Sequence, residues 1–262
     1  MEIKIRDLAF AHTDYSTLQK SKYFKWVRTG DKKNVCFFTD SCLNQVYHSN
    51  DTIKVAWLIE PRAISEASYD FIKKNWNAFD YILTYDKELL LLDKRFIFYP
   101  HGGCWIKDED KKIYEKTKFC SIIASSKADT EGHKLRHKII ERHKEIDVFG
   151  NGYNFIENKV DGLRDYKFSI VVENSIQDDY FTEKIIDSIM CGCVPIYWGT
   201  KNINDYVNNI PTFNTTEELD VLLDRLKKDN YPEEYKKTNF DIAKKFTIPE
   251  DYIFENYNFL FT

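Results

Sequence analysis

No stretch of the sequence approaches the roughly 20 consecutive apolar residues of a membrane-spanning helix. The first residues, MEIKIRDLAFAH, hold no apolar run of signal-peptide length. No integral membrane segment and no targeting segment are therefore expected. None of the six cysteines (Cys36, Cys42, Cys104, Cys120, Cys191, Cys193) forms a CxxC pair, and no histidine spacing completes a zinc site, so no metal is expected. Cys191-Gly-Cys193 is too local for an ordinary disulfide and reads as small-residue packing. The expectation is a soluble protein with reduced thiols, placed in the cytoplasm. Net charge is −4 and no block of five like charges occurs, which argues against nucleic acid as a partner.

What is present is apolar and aromatic. The chain has 262 residues, 43% of them hydrophobic and 16% aromatic, enough for one large domain or two smaller ones. Seventeen tyrosines and nineteen phenylalanines suit a large core and a carbohydrate-handling cleft equally well.

Short apolar runs recur with polar punctuation. In the first half, residues 34–39 (NVCFFT), 53–59 (IKVAWLI), 79–84 (FDYILT) and 96–99 (FIFY) read as buried strands. Residues 65–77 carry Tyr69, Ile72 and Trp76 at helical spacing, with Ser65 as the N-cap. In the second half, residues 119–124, 146–149, 167–172 and 194–198 read as strands. Helices are expected over 132–144, with Leu135, Ile139 and Ile140 as the buried stripe, and over 181–190, 216–228 and about 232–246. Strands alternating with helices imply parallel α/β layers. Two such sets imply two Rossmann-like lobes, residues 1–115 and 116–250, divided in the charged segment from Trp105 to Lys118. The apolar tail, residues 251–262, is expected to dock on the body.

In open α/β sheets ligands sit beyond the carboxyl ends of strands, where helices begin. The stretch from Val171 to Thr200, VVENSIQDDYFTEKIIDSIMCGCVPIYWGT, has that context. A strand delivers Glu173-Asn174-Ser175, and Asp179 or Thr182 caps the following helix. Ile185, Ile186, Ile189 and Met190 pin that helix to the sheet. Glu183 and Lys184 then fall in its first turn. An acid there is ordinary helix chemistry, but the macrodipole disfavours a lysine. Two explanations stay open for Lys184: pairing with a nearby acid, or an external anion, such as a diphosphate, at the helix start. Asp178-Asp179 reads as capping rather than as a metal motif.

These residues resemble the Lewis-type α-1,3-fucosyltransferases, in particular a soluble bacterial or viral-like member. That family's pattern is a strand ending in Glu-Asn-Ser, a tyrosine, Thr-Glu-Lys opening a helix, and a strand holding Val/Ile-Pro and ending in Tyr-x-Gly. Here it reads Glu173–Ser175, Tyr180, Thr182–Lys184, and Val194-Pro195-Ile196-Tyr197-Trp198-Gly199. Weaker correspondences are Ser125-Ser126, Arg136, Asp147–Gly150, Ile59-Glu60-Pro61, Asp80-Tyr81 and Tyr85-Asp86. Pro61 and Ser126 stand where the family has asparagine.

The resemblance implies a GT-B glycosyltransferase, two facing Rossmann-like lobes with parallel sheets. It implies an inverting transfer of fucose from GDP-fucose to a hydroxyl of a glycan acceptor, with no metal or other cofactor. By the same resemblance Glu60 is the general base, and Arg136 and Lys184 meet the diphosphate. Glu183 binds donor hydroxyls, Asn174 and Tyr180 hold donor hydroxyls or phosphate oxygens, and Glu173 and Ser126 complete the donor site. His101-Gly102-Gly103 is an acceptor-side candidate. Two alternatives stay open: another nucleotide-sugar donor on the same fold, or a nucleotide- or glycan-binding protein without catalysis.

Overall fold

A computed structural model describes residues 1–8, 10, 13–30, 34–228 and 233–261. Pro232, where the last long helix was expected to begin, and Thr262 lie outside them. The chain forms two units. The first comprises Met1–His101, Asp178–Tyr180 and Ile248–Thr262, and the second Gly102–Gln177 and Phe181–Thr247. Among the described residues no helix is long and apolar enough to cross a membrane.

The first unit holds β1 (Glu2–Arg6), β2 (Lys25–Val27), β3 (Val35–Thr39), β4 (Ile53–Trp57), α1 (Arg62–Asn75), β5 (Tyr81–Thr84), the short α2 (Lys87–Leu90) and β6 (Phe96–Phe98). Its strands pair in parallel in the order β2-β1-β3-β4-β5-β6. Alternation along β3 shows how both faces are covered. Val35 and Phe37 join Trp26 and Trp57 in one core cluster, while Cys36 and Phe38 join Leu43, Tyr69 and Ile72 in another. The C-terminal residues complete the first cluster through Ile253 and Leu260.

Three local expectations differ here. β1 and β2 were not anticipated, because EIKIR alternates apolar and charged residues and β2 is only three residues long. They exist because Ile3, Ile5 and Trp26 are buried in the shared core. The helix that includes Tyr69 and Ile72 starts at Arg62, behind Pro61, and Ser65 is not its N-cap. Proline suits that entry, since its missing N–H is one the helix cannot use. Ser65 leaves helical geometry (φ −127°, ψ 46°) and its hydroxyl bonds that of Ser68 at 2.6 Å.

The second unit holds β7 (Lys118–Ile123), α3 (Glu131–Arg142), β8 (Asp147–Phe149), β9 (Tyr166–Val172), α4 (Glu183–Met190), β10 (Val194–Trp198), α5 (Thr216–Leu226) and α6 (Glu233–Ala243). A last helix, α7 (Pro249–Asn256), returns to the first unit. The strands of the second unit pair in parallel in the order β10-β9-β7-β8. The chain goes from β7 outward to β8, then back to β9 on the other side of β7. The carboxyl ends of β7 and β9 thus flank the topological switch point. Ile122, Phe168, Ile170, Ile196 and Trp198 meet Ile139 of α3 and Leu219, Leu222 and Leu223 of α5 on one face. α4 packs on β9 and β10. Its buried Ile185, Ile186, Ile189 and Met190 each contribute about 1.5–3 kcal/mol to holding it there.

The start of α3 lies against the end of β9. Gly132 donates its N–H to the Asn174 carbonyl at 3.1 Å. A Cβ at position 132 would come within 1.8 Å of the Glu173 carbonyl oxygen. Gly132→Ala must therefore displace backbone, and a loss of about 2 kcal/mol or more is expected. Thermal unfolding should show a fall of several degrees; an unchanged Tm would mean that α3 is not seated on β9.

Candidate functional site

The residues around the switch point build a cavity of about 330 Å³. Its walls include Ile123, Ala124 and Ser125 after β7, Gly150 and Asn151 after β8, Val171 and Val172 of β9, and Arg136, Glu183 and Lys184. Gly150 has a φ of +112° and lies so close to Ala124 that a Cβ would approach its carbonyl oxygen to 2.1 Å. That close pass lets the turn after β8 form one wall. Phe155, 77% exposed, also lines the cavity and offers an apolar ring for stacking.

Two helix starts bring cations to this cavity. α3 begins with a capping box, Thr130 Oγ accepting from the His133 N–H at 3.2 Å and His133 Nδ1 accepting from the Thr130 N–H at 3.3 Å. One turn on, the buried Arg136 guanidinium donates to the Val172 carbonyl (Nε 3.1 Å, Nη2 2.5 Å) and to Asn174 Oδ1 (3.1 Å). These bonds hold the guanidinium plane at the end of β9. α4 is capped by Thr182, whose Oγ accepts from the Lys184 N–H at 3.4 Å. Lys184 Nζ lies 2.9 Å from Thr182 Oγ and 3.5 Å from both Glu173 Oε2 and Glu183 Oε1. Lys184 thus has acidic neighbours, one of the two explanations offered for it from sequence, and it also lines the cavity.

Glu173 is fully buried. Its carboxylate accepts the Thr182 N–H at 2.9 Å and the Thr182 hydroxyl at 2.8 Å. It sits behind Thr182 and Lys184 rather than in the cavity wall, whose side chains on α4 are Glu183, Lys184 and Asp187. Capping by Asp179 or Asp178 is not what the structure has. Asp179 has a φ of +61°, and both acids pair with Lys87 in the first unit, at 3.3 and 3.1 Å. Thr182 takes the cap because its hydroxyl can accept from Lys184 while donating to Glu173.

The sites named from sequence therefore fall in two groups. Arg136, Asn174, Glu173, Glu183 and Lys184 come together in the second unit. Ser126 is exposed beside the same loops, its N–H on the Asn151 carbonyl at 2.9 Å, and Ser125 is the serine that lines the cavity. Tyr180 belongs to the first unit, buried with its ring 5.3 Å from that of Tyr85. Glu60 also belongs to the first unit, just past the carboxyl end of β4. Its carbonyl accepts from the Tyr69 hydroxyl at 2.9 Å.

Two residues escaped the sequence reading. Asp40 follows β3 with a φ of +32° and accepts the N–H groups of Ile59 (3.1 Å) and Glu60 (3.3 Å). Burial, with Glu60 nearby, pushes its carboxyl up to about 7. Its position at a strand's carboxyl end is the same signal that singled out Glu60. Lys159 is the other. Its ammonium lies 2.7 Å from Asp187 Oδ2 and 3.4 Å from Glu183 Oε1, and it lines the cavity. The available clue was two acids, Glu183 and Asp187, one turn apart on a helix otherwise buried, which calls for a cation from elsewhere.

The cations at this helix start act on a neighbouring imidazole. Burial and then the Arg136 charge hold the His133 imidazole below its ordinary value, with Lys127 and Lys184 adding to the effect and Asp129 opposing it. His133 thereby lies close enough to Arg136 to feel its charge, after the larger effect of burial. Among the described residues no group of three or more His, Cys, Asp or Glu is placed to hold a metal ion.

Parallel α/β units of this kind, with a helix-start site at a switch point, are those of GT-B glycosyltransferases. Crystal structures of an α1,3-fucosyltransferase show the same fold over 94% of this chain and 81% of theirs. TM-scores are 0.56 and, for the structure with GDP-fucose, 0.52, at 18% and 17% identity. Residues 113–257, more than half of the chain, match the model described as "Glycosyltransferase family 10 (fucosyltransferase) C-term", and the chain belongs to that family. A fucosyltransferase-like protein of Arabidopsis thaliana is 32% identical over 95 residues, covering 34% of this chain and 18% of its own. A 4-galactosyl-N-acetylglucosaminide 3-alpha-L-fucosyltransferase of Mus musculus is 28% identical over 153 residues, covering 55% of this chain and 38% of its own. The matches thus span well under half of these relatives.

Two measurements check the electrostatics. An anion beside Arg136 favours the protonated imidazole, so inorganic pyrophosphate is expected to raise the His133 midpoint in an NMR titration. A fixed midpoint would put the anion elsewhere. The raised Asp40 pKa means that its contribution to stability is present below the unfolded value near 4 and is lost as pH rises through about 7. Asp40→Asn should therefore gain Tm relative to the wild type between pH 5 and pH 8. A constant gap would mean that Asp40 titrates normally.

Proposed function

We propose that this protein is an inverting fucosyltransferase that moves fucose from GDP-fucose to a hydroxyl of a glycan acceptor. The observation that carries the reading is the pairing of Arg136 and Lys184 at one cavity on the switch point, within the segment that matches the family. It is supported by the GDP-fucose found in a structure of the same fold.

The chemistry asks for two charges to be handled. The acceptor oxygen bonds to the anomeric carbon of fucose as the bond from that carbon to the diphosphate oxygen breaks. The acceptor proton passes to the Glu60 carboxylate, and GDP departs with the bonding electron pair on its terminal phosphate. Arg136 brings a planar fork and Lys184 a point charge to that phosphate, in a low-dielectric setting where each counts for more than in water. Glu183 faces donor hydroxyls and steadies the electron-poor sugar carbon. Asn174 orients donor oxygens. Glu173 works through Thr182, fixing where α4 begins. Charge neutralisation by these cations calls for no metal ion or other cofactor.

A thermal-shift series with GDP, UDP, ADP and CMP tests the donor. A GDP-selective rise supports the reading, and a rise with UDP alone transfers it to another nucleotide sugar. Glu60→Gln is expected to keep GDP binding and lose transfer by two orders of magnitude or more. Lys184→Ala should cost about 3 kcal/mol in kcat/KM, on the order of 100-fold. Normal turnover by Glu60→Gln, followed by mass spectrometry of the acceptor, would remove Glu60 as the base.

A further inference from the structure

The cavity holds a charged group that the transfer chemistry above leaves unused. Lys159 precedes β9 by several residues and reaches α4, where Glu183 and Asp187 stand one turn apart. Its ammonium is 2.7 Å from Asp187 Oδ2 and 3.4 Å from Glu183 Oε1. Asp187 is 2% exposed, and its other oxygen accepts the Trp105 N–H at 2.6 Å. Asp187 is therefore locked at both oxygens and cannot follow Lys159 if the lysine moves. Glu183 differs. Its Oε1 is near two ammonium groups, Lys159 at 3.4 Å and Lys184 at 3.5 Å, and the side chain retains solvent access at 22%.

The charges facing Glu183 can be named. Lys184 and Asp187 come from its own helix, Arg136 from α3 lines the same cavity, Lys159 comes from the segment before β9, and Glu173 after β9 stands behind Lys184. Three are positive and two negative, so with Glu183 itself the cluster is neutral. Bulk positive charge is not what the site offers; the placement of each group decides what it does. Burial on its own would lower the lysine's pKa, but Asp187 and then Glu183 reverse this, and Lys159 is held protonated. Burial shifts Asp187 upward, with Lys159 opposing it. A cation anchored on a locked aspartate has its reach toward the phosphates limited, and its remaining contact is Glu183.

We propose that Lys159 is a positioning residue of the donor site, which uses Asp187 as an anchor and fixes the orientation of the Glu183 carboxylate for the sugar of the donor. This inference rests on the fucosyl-transfer reading above. Lys184 reaches the same carboxylate oxygen, but it is also needed at the diphosphate. Lys159 lets Glu183 keep its orientation when Lys184 turns to the phosphates.

The test is Lys159→Gln beside Lys159→Arg and Glu183→Gln in the full chain, with GDP and GDP-fucose as probes. For Lys159→Gln, kcat/KM with GDP-fucose should fall on the order of 10- to 100-fold, as a misplaced reacting group requires. The GDP Kd should stay within about threefold, because Arg136 and Lys184 remain. The acid limb of kcat/KM should move to higher pH, since a carboxylate that loses a cation is protonated more readily. Lys159→Arg should recover most of the loss, and Lys159→Gln should add little in the Glu183→Gln background. A large rise in GDP Kd would make Lys159 a phosphate ligand and overturn the proposal. So would unchanged kcat/KM with a lowered Tm, which would make it purely structural. If Lys159→Gln does not fold, a crystal structure of the wild type with GDP decides: Lys159 on Glu183 supports the proposal, and Lys159 on the phosphate oxygens refutes it. Absence of transfer by the wild type overturns the fucosyl-transfer reading and the inference together. Wild-type transfer with an unaffected Lys159→Gln overturns the inference alone.

Discussion

The cavity at the switch point depends on a buried carboxylate. Glu173 leaves the end of β9 with no exposure and gives both oxygens to Thr182, one to its N–H and one to its hydroxyl. A carboxylate in that setting is tolerated only because it is so completely bonded. In return it determines where α4 starts. The first turn of that helix carries Glu183 and Lys184, and the second carries Asp187. Moving the start by one residue would rotate all three by about 100° about the helix axis. Gly132 lets α3 reach the same strand end, and so the Arg136 guanidinium is held on Val172 and Asn174. Two helices and one strand thus share a single fixed point.

Much of this was legible because it is local. The run from Val171 to Thr200 holds a strand, a cap, an amphipathic helix and a second strand in sequence order, and β10 occupies Val194–Trp198 as expected. Buried parallel strands such as β3 and β9 show as short apolar runs. What the sequence concealed is set by distant partners. β1 exposes alternate residues and becomes a strand only through pairing with β2 and β3. Ser65 looked like a cap, but Pro61 had already opened the helix. Lys159 reaches Glu183 and Asp187 across more than twenty residues of chain, so the two acids called for a cation without showing which one. Asp40 needed the backbone turn at a strand end to bring Ile59 and Glu60 to its carboxylate.

The family pattern also blends two kinds of residue. Its Glu-Asn and Thr-Glu-Lys elements look like one binding motif in sequence. In the structure Glu173 and Thr182 hold each other, whereas Glu183 and Lys184 line the cavity. Half of such a motif keeps the architecture in register, and the other half lines the cavity. Substitutions in the two halves should therefore differ in kind: loss of fold order in one, loss of chemistry in the other.

The cysteines carry a practical consequence. All six are buried, and burial pushes every thiol upward, Cys36 to about 12. The thiolate is the form that alkylates, so none reacts while its surroundings stay closed. Cys36 and Cys42 lie in the first unit and the other four in the second. The chain thus has built-in reporters whose modification rates measure how often each unit breathes open, separately and without any engineered label.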